Sequence, residues 1–477
     1  MNTLIRAGGL KAAIVILFTG ITCDFVAAQD TTHPREMKLD AAVTARPSPE
    51  SLQVVLENGL VAYVAEDHRA PLTTLKAYLG VGTGHGEPGD AAALAAALRR
   101  GPQSLSADKF SSTLAQMNAQ YHVTQQHETT EVLLDVPESK TKQALQLLSE
   151  ILTAPAFNRK SAEAELRKSS GTIDYNYSLV NAVAMFEDRL FAGHPFRRTA
   201  TSEEQATATS SGARRLHEQF AVAKNITLAV AGDFKRSSVV RETNQHFKDF
   251  SAAAPPKLTE FPPVNAPAQR ELLLTNAERI QGWVVIGHEL PRVPKKDQAA
   301  LEVMDYILGA YHLDSRLYRS SRELRGLTND NSSFLQPGLR GPGSYSFRTY
   351  GRPEAVRLLV DVTFRELRDI RETEVTEDEL FVAKGALVDG IYATRYATGV
   401  DASQSYAKEW LAEGSHELSK SYPDRVAKVT AETVQMAAQR YIHPERMLVA
   451  VLGPLKEIEA APAIESEPQL DVWGSSP

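Results

Sequence analysis

The chain has 477 residues, of which 23% are charged and 43% are apolar, and its formal net charge is -7. This length favours two or more domains, because a single hydrophobic core stops growing beyond about 250–300 residues. The acidic balance, with a pI near 6.0, argues against a general attraction to nucleic acid.

The first residues are typical of a secretory signal peptide. Arg6 and Lys11 precede an apolar run over residues 12–22, and small residues before position 29 suit a signal peptidase. We therefore expect residues 1–28 to be removed and the mature protein to be periplasmic, with no integral membrane segment. The alternative is a lipid anchor on Cys23, the only cysteine of the sequence.

After a flexible lead-in over residues 29–49, the pattern predicts a first domain over residues 50–250. Asn58 and Gly59 stand between two short alternating runs, which is a strong signal for a β-hairpin. Further strands are predicted at residues 72–81, 121–124, 131–136 and 225–233, and helices at residues 89–101, 107–118, 139–152, 159–176 and 179–191.

The segment 89–101 consists mainly of alanine and leucine, the strongest helix formers, and ends with Arg99 and the helix-stopping Gly101. Asp90 is placed to cap its first turn. From residue 91 to 98 no side chain carries a nitrogen, oxygen or sulfur atom, so the segment can neither bind a metal nor transfer a proton. We expect it to act by packing alone.

A linker rich in proline and alanine, over residues 251–268, precedes a second domain over residues 269–456 and a flexible tail over residues 457–477. The same order of elements returns, with strands predicted at residues 283–289, 344–349 and 447–453, and helices at residues 298–308, 353–370 and after the cap at Thr376. The expected fold class is α+β: two homologous domains, each a mostly antiparallel sheet with helices on one face.

Several short sequence motifs follow one another in a specific order. They lie at residues 56–60, 67–71, 105–110, 193–196, 201–204, 225–234, 308–309, 315–318 and 326–327. In this order the chain resembles the pitrilysin and mitochondrial processing peptidase family, the inverted zinc metallopeptidases, over nearly all of its mature length. In such enzymes an H-x-x-E-H helix supplies two zinc ligands and the general base, and a glutamate on a later helix completes the site.

The resemblance places the H-x-x-E-H segment on residues 92–96, where the functional positions hold Ala92, Ala95 and Ala96. The later ligand position holds Thr172. The resemblance therefore implies a chain without catalytic residues, metal or cofactor, and zinc is expected only in a partner chain.

The second domain of this family often contributes an arginine and a tyrosine, seven residues apart, that hold the substrate backbone. Here these positions hold Arg322 and Asn329. The side chain of asparagine is shorter than that of the tyrosine it replaces. Extended substrate in this fold lies along an edge strand, which corresponds here to His122, Val123 and Thr124. Strand addition uses backbone groups, so it can survive the loss of zinc.

Other residues that could form a metal or nucleotide site have simpler structural interpretations. His122 and His127 could hold a relocated zinc, but a separation of five residues directs two side chains to opposite faces of a strand. We interpret them, like His85, as exposed loop histidines. In the resembling family the phrase that contains His194 is a structural turn between helices, and we interpret His194 in the same way. The glycine-rich residues 338–343 lack the context of a nucleotide site and are interpreted as a flexible turn.

These observations favour a non-catalytic member of the family that serves as the zinc-less partner of a periplasmic heterodimeric metallopeptidase and helps to bind and position unstructured peptides. Its expected partner is a zinc-bearing paralogue. Two alternatives stay open. One is a free-standing peptide-binding or scaffold protein, acting as a monomer or a homodimer. The other is an active zinc metalloendopeptidase with unrecognised ligands.

Overall fold

The computed structural model describes residues 46–87, 89–157, 179–197, 210–255, 261–310 and 313–461. The predicted signal peptide, the predicted helix over residues 159–176 with Thr172, and most of the predicted tail lie outside these residues. Among the helices of the described part, none is long and apolar enough to cross a membrane.

The first sheet has six strands in the described residues. They are β1 (Gln53–Val55), β2 (Val61–Glu66), β3 (Leu72–Leu79), β4 (Gln120–Gln125), β5 (Thr130–Pro137) and β6 (Ile226–Gly232). Their order is β1-β2-β6-β3-β5-β4, with β2 and β6 parallel and the other neighbours antiparallel. The predicted hairpin at Asn58 and Gly59 joins β1 to β2, and Gly59 has a φ of +87° that favours glycine. Strand β4 forms one edge.

The first half has seven α-helices in its described residues, and four of them were predicted. They are α1 (Pro49–Leu52), α2 (Asp90–Arg99), α3 (Ala107–Gln116), α4 (Thr141–Thr153), α5 (Leu179–Leu190), α6 (Ser210–Phe220) and α7 (Arg236–Phe247). Helix α3 begins at Ser106, whose side chain accepts a hydrogen bond from the Lys109 N–H. The polar residues of α6 and α7 gave no clear sequence signal, and both helices were missed.

The second sheet repeats the pairing of the first. Its strands are β7 (Glu271–Asn276), β8 (Gly282–Leu290), β9 (Asn331–Gln336), β10 (Gly343–Gly351) and β11 (Leu448–Gly453), in the order β7-β11-β8-β10-β9. Here β7 and β11 are the parallel pair. The sequence β7-β11-β8-β10-β9 corresponds strand by strand to β2-β6-β3-β5-β4, as the internal repeat predicts.

The second half contains eight α-helices in its described residues. They are α8 (Lys295–Asp305), α9 (Arg316–Tyr318), α10 (Pro353–Glu372), α11 (Glu377–Gly385), α12 (Gly399–Glu413), α13 (Glu417–Ala427), α14 (Ala431–Tyr441) and α15 (Leu455–Ala460). Helix α11 starts with the predicted cap, in which Thr376 and Glu379 exchange side-chain and backbone hydrogen bonds. Helix α15 occupies the start of the predicted tail, where Ile458 is buried.

Strands in the middle of the first sheet are buried on both faces. In β2, Ala62 and Val64 join the core beneath the helices of the first half. Their neighbours Val61, Tyr63 and Ala65 join a second core that belongs mainly to the other half. A strand covered on both faces is apolar along its whole length rather than alternating.

Each half lends one helix to the sheet of the other. Helix α12 packs across β2 and β6, where the Thr227 hydroxyl donates to the Ala407 carbonyl at 2.9 Å. Helix α5 packs across β8 and β11, and the Phe186 ring lies so close to Gly287 that a Cβ there would be 3.0 Å from it. The predicted α+β class is confirmed, and the second face of each sheet is covered by an exchanged helix.

Candidate functional site

Helix α2, the alanine-rich segment, is buried on nearly all sides. Its buried residues are Asp90, Ala91, Ala93, Leu94, Ala95, Ala96, Ala97 and Leu98. It lies against α6 and β4, and Gly101, with a φ of +88°, follows its end as predicted. Small side chains allow the neighbouring elements to approach this closely, so the helix acts as a packing element.

The predicted cap of α2 was wrong. Gly89, with a φ of +88°, occupies the cap position, and no side chain caps the helix. Asp90 lies in the first turn instead, and burial raises the pKa of its carboxyl group. Its Oδ1 would lie 1.9 Å from a Cβ at Gly212 of α6, so only glycine allows this approach.

The three positions that the resemblance assigns to zinc chemistry carry methyl groups in this helix. Ala92 is half-buried, while Ala95 and Ala96 are 1% and 5% exposed. A methyl group has no lone pair with which to bind Zn²⁺ or accept a proton, so these residues do not fit the ion. In the described part of the chain, no three His, Cys, Asp or Glu side chains are grouped so that they could hold a metal ion.

Side chains of β4 attach this strand to both ends of α2. The Tyr121 hydroxyl donates to the Leu98 carbonyl at 2.7 Å. The Gln125 Nε2 donates to the Ala91 carbonyl at 2.9 Å. Because alternate residues of a strand share one face, Tyr121 and Gln125 reach the same helix. Two hydrogen bonds therefore hold the edge strand against the helix.

The backbone groups at the open edge of β4 follow from its register. Gln126 N–H donates to the Thr129 carbonyl at 2.7 Å where the β4–β5 hairpin closes. Hydrogen-bonded and non-hydrogen-bonded pairs alternate along an antiparallel ladder. Tyr121, Val123 and Gln125 therefore direct their N–H and C=O groups away from β5, towards the side where another strand could add.

Of the residues expected to bind peptide, Val123 presents its backbone to this edge, whereas His122 and Thr124 use theirs to pair with β5. The side chains of His122 and Thr124 are exposed. The Arg99 guanidinium lies 3.4 Å from the Val123 carbonyl through both Nε and Nη2. It occupies an acceptor that an added strand would use.

Arg322 and Asn329, the second pair expected to hold substrate, contact each other. The Arg322 Nη1 donates to the backbone carbonyl of Asn329 at 3.1 Å and to its side-chain oxygen at 3.2 Å. The guanidinium also lies 5.5 Å from the centre of the Tyr318 ring. Within the described residues, no hydrogen bond or ion pair connects Arg322 or Asn329 to α2 or β4.

The glycine-rich loop is fixed by a carboxylate from the other half, which corrects its interpretation as a flexible turn. Glu128, in the β4–β5 hairpin, accepts hydrogen bonds from the backbone N–H groups of Leu339, Arg340 and Gly341 at 2.5, 2.8 and 3.0 Å. Consecutive N–H groups that converge in this way form an anion-binding nest. Burial nevertheless raises the pKa of Glu128. The glycine spacing was the only sequence signal for this contact.

Two of the histidines considered as metal ligands, His85 and His127, belong to aromatic packing, while His122 lies exposed on β4. His85 packs edge-on against Phe261, with ring centres 5.2 Å apart, and burial lowers its pKa to about 4. His127 stacks on Phe196 at 4.7 Å. Their interpretation as exposed loop residues was therefore wrong. His194 accepts from the Phe196 N–H at 3.0 Å, in keeping with a structural turn.

A cavity of about 1070 Å³ lies between the halves, and we call it the central cavity. Its walls are the β4–β5 hairpin, the glycine-rich loop, the loop before α8, the segment 392–396 and helices α5, α8, α12 and α13. No residue of α2 lines it. No sequence pattern indicated this cavity, because its walls come from segments far apart in the chain.

Two family models match the chain. The model described as "Insulinase (Peptidase family M16)" matches residues 92–192, and the model described as "Peptidase M16 inactive domain" matches residues 209–387. No curated protein matches the sequence.

Solved structures of similar fold include a peptidase M16 inactive domain from Pseudomonas fluorescens, at 18% identity and a TM-score of 0.72, covering 84% of this chain and 98% of that one. A protease from Helicobacter pylori has 16% identity, a TM-score of 0.70 and the same coverage. A chain of Complex III2 from Candida albicans, with Inz-5 bound, has 13% identity and a TM-score of 0.67, covering 85% and 96%. At these identities the likeness shows the fold. The two family models, which follow one another along the two halves, show that the chain belongs to the M16 peptidase family, the pitrilysin or insulinase family.

Proposed function

We propose that this chain is a non-catalytic M16 homologue that serves as the zinc-less partner subunit of a periplasmic heterodimeric metallopeptidase. The observation that carries the proposal is the packing of α2. At the three positions that the resemblance assigns to zinc chemistry it has only methyl groups, and two of the three are almost completely buried. Such a helix supports its surroundings and supplies no zinc ligand or general base.

The proposed task of the chain is to bind and position unstructured peptides. The open edge of β4 supports this, since the backbone groups of Val123 can pair with an extended peptide without any metal. Arg99 already contacts the Val123 carbonyl, so an incoming strand would displace that weak, exposed contact. Arg322 and Asn329 would steady the peptide from the second half, once their mutual hydrogen bonds open.

A partner is proposed because the chain has two domains of the family fold, while a closed chamber in this family needs four. Two copies of this chain would enclose a chamber with alanines at both metal-site positions. A zinc-bearing paralogue would supply the metal and the general base, and this chain would contribute positioning. Under this proposal the chain itself needs no cofactor.

The test is co-expression with a zinc-bearing relative from the same organism, followed by gel filtration and a fluorogenic peptide assay. We expect the two chains to elute together and kcat/KM to exceed that of the relative alone. A relative mutated at its own general base is the matched control and should be inactive in the complex. Separate elution, with equal activity of the relative alone, would contradict the proposal and favour the free-standing peptide binder.

Metal analysis of the purified chain tests the remaining alternative. We expect no stoichiometric zinc after dialysis, because methyl groups cannot hold the ion. One tightly bound zinc per chain, lost on substitution of a histidine pair, would indicate an active metalloendopeptidase with other ligands.

A further inference from the structure

Three cationic side chains converge on the central cavity from separate elements. Arg292 lies in the loop between β8 and α8, Arg395 follows the segment Ala386–Tyr392, and Lys408 lies on α12. All three are exposed. Among the residues that the structure describes, none of them has a hydrogen-bonding or ion-pairing partner for its side chain. Their charges are available to a ligand.

At least four of the five glutamates that line the cavity, in contrast, are engaged. Glu128 is held by three backbone N–H groups of the glycine-rich loop. Glu302 accepts from the Tyr422 hydroxyl at 2.5 Å, and Glu413 pairs with Lys295 at 2.8 Å. Glu409 accepts from the Ser419 N–H at 2.9 Å and contacts His416. These groups cannot neutralise the three cations without giving up their own partners.

Tyrosine rings line the same wall. Tyr392 stacks on Tyr422 with ring centres 4.9 Å apart, and Tyr396 meets Tyr392 edge-on at 5.1 Å. Burial raises the pKa of Tyr396 to about 12, and the positive charge of Arg395 acts in the opposite direction. Arg395 is next to Tyr396 in the chain and lines the same cavity. The three tyrosines are only 4–5% exposed, so they form a packed wall beside the cationic groups and offer little apolar surface to a ligand.

We propose that the central cavity is a binding site for an acidic segment of an unstructured peptide, whose carboxylates pair with Arg292, Arg395 and Lys408. A volume of about 1070 Å³ lies at the upper end of ordinary ligand pockets, so a peptide segment fills it better than a small anion does. The three cations come from different elements and suit carboxylates spaced along a chain. This site lies within the single chain and goes beyond the subunit role proposed above.

The test uses the full chain alone and fluorescence anisotropy of a short labelled peptide made of glycine, serine and glutamate. Two comparison peptides carry glutamine or lysine in place of every glutamate, and succinate serves as a small-anion competitor. We expect the acidic peptide to bind most tightly, with an affinity that falls as salt is added. Equal binding of the glutamine peptide would overturn the proposal, as would displacement of the acidic peptide by an equal concentration of succinate.

The matched variants are Arg292→Gln, Arg395→Gln and Lys408→Gln combined, against the exposed Lys109→Gln on α3. The triple variant should bind the acidic peptide at least about tenfold more weakly, since charge-assisted hydrogen bonds are lost. Lys109→Gln should bind as the wild type does. Circular dichroism and thermal unfolding establish that both variants are folded. Unchanged affinity of a folded triple variant would overturn the site, and it would leave the co-expression result unaffected.

Discussion

The carboxylate of Glu128 accepts a hydrogen bond from the backbone N–H of Gly341, 213 residues later in the chain, at 3.0 Å. The same carboxylate also binds the two preceding N–H groups, so one side chain of the first half shapes a loop of the second. The loop side chain Arg340 in turn donates to the Leu411 carbonyl of α12 at 2.7 Å. The hairpin, the loop and the exchanged helix are thereby connected.

Removal of this carboxylate should loosen the glycine-rich loop. Glu128→Ala leaves three N–H groups without their acceptor, and we expect the free energy of unfolding to fall by about 3 kcal/mol. Hydrogen exchange of residues 339–341 should become faster, which mass spectrometry can measure. The exposed Glu374→Ala is the control and should change neither quantity. Unaltered exchange at 339–341 in Glu128→Ala would show that the loop is held by other contacts.

A charge placed on the buried face of α2 should destabilise the protein strongly. Ala95 is 1% exposed, so Ala95→Glu buries an unpaired carboxylate, and we expect a loss of about 3 kcal/mol in denaturant unfolding. Ala92→Glu, at the half-buried position, should lose less.

The triple variant Ala92→His, Ala95→Glu, Ala96→His should likewise melt at a lower temperature and show no peptidase activity. Wild-type stability of this variant would mean that the helix faces open space, contrary to the packing described above.

Proline substitutions test the inferred register of β4. Val123→Pro removes an N–H that faces the open edge, whereas Thr124→Pro removes one that pairs with β5. Because edge positions tolerate proline, Val123→Pro should stay folded and lose strand-mediated peptide binding. Thr124→Pro should lower the free energy of unfolding by about 1–3 kcal/mol more than Val123→Pro does. The reverse order of stabilities would place Thr124 at the open edge.

A buried carboxyl group should make stability depend on pH. Burial raises the pKa of Asp305 to about 6, against hydrogen bonds from Ser333 and Tyr345 at 2.6 and 2.8 Å. Because the pKa of Asp305 is higher in the folded state than in the unfolded chain, folding favours the protonated carboxyl group. The stability that depends on this protonation is fully present below pH 3.8 and is lost as the pH rises through about 6.

Asp305→Asn should therefore gain stability relative to the wild type between pH 4 and 7, by on the order of 3 kcal/mol. Denaturant unfolding at several pH values measures the difference. The exposed Asp249→Asn is the control and should show no such trend. A pH-independent difference for Asp305→Asn would contradict the assignment.

Local sequence signals predicted many of the helices and strands, missed others such as α6, α7 and α12, and did not reveal the contacts between distant elements. Asn58 and Gly59 predict a hairpin, and Thr376 with Glu379 predicts the start of a helix, because each of these signals lies within a few residues. Glu128 gives no such signal, since its acceptor role depends on a loop more than 200 residues away.

The same holds for the central cavity and the exchanged helices. Helix α5 was predicted over residues 179–191, whereas α12 was not predicted. Even for a predicted helix, an apolar face does not reveal which sheet it covers. The position of the edge strand was predicted correctly. Which of Val123 and Thr124 directs its backbone groups to the open edge could not be predicted, because it depends on the register of the hairpin.

Because α12 covers the sheet of the first half, the first half cannot complete its fold until α12 has been synthesised. When residues up to 250 have left the ribosome, the face of β2 and β6 that carries Tyr63 still lacks its cover, because α12 begins only at Gly399. The first half therefore displays an apolar surface until most of the chain has been made. A nascent chain with this uncovered sheet is a natural client for a holding chaperone, and its native structure closes only after translation has nearly finished.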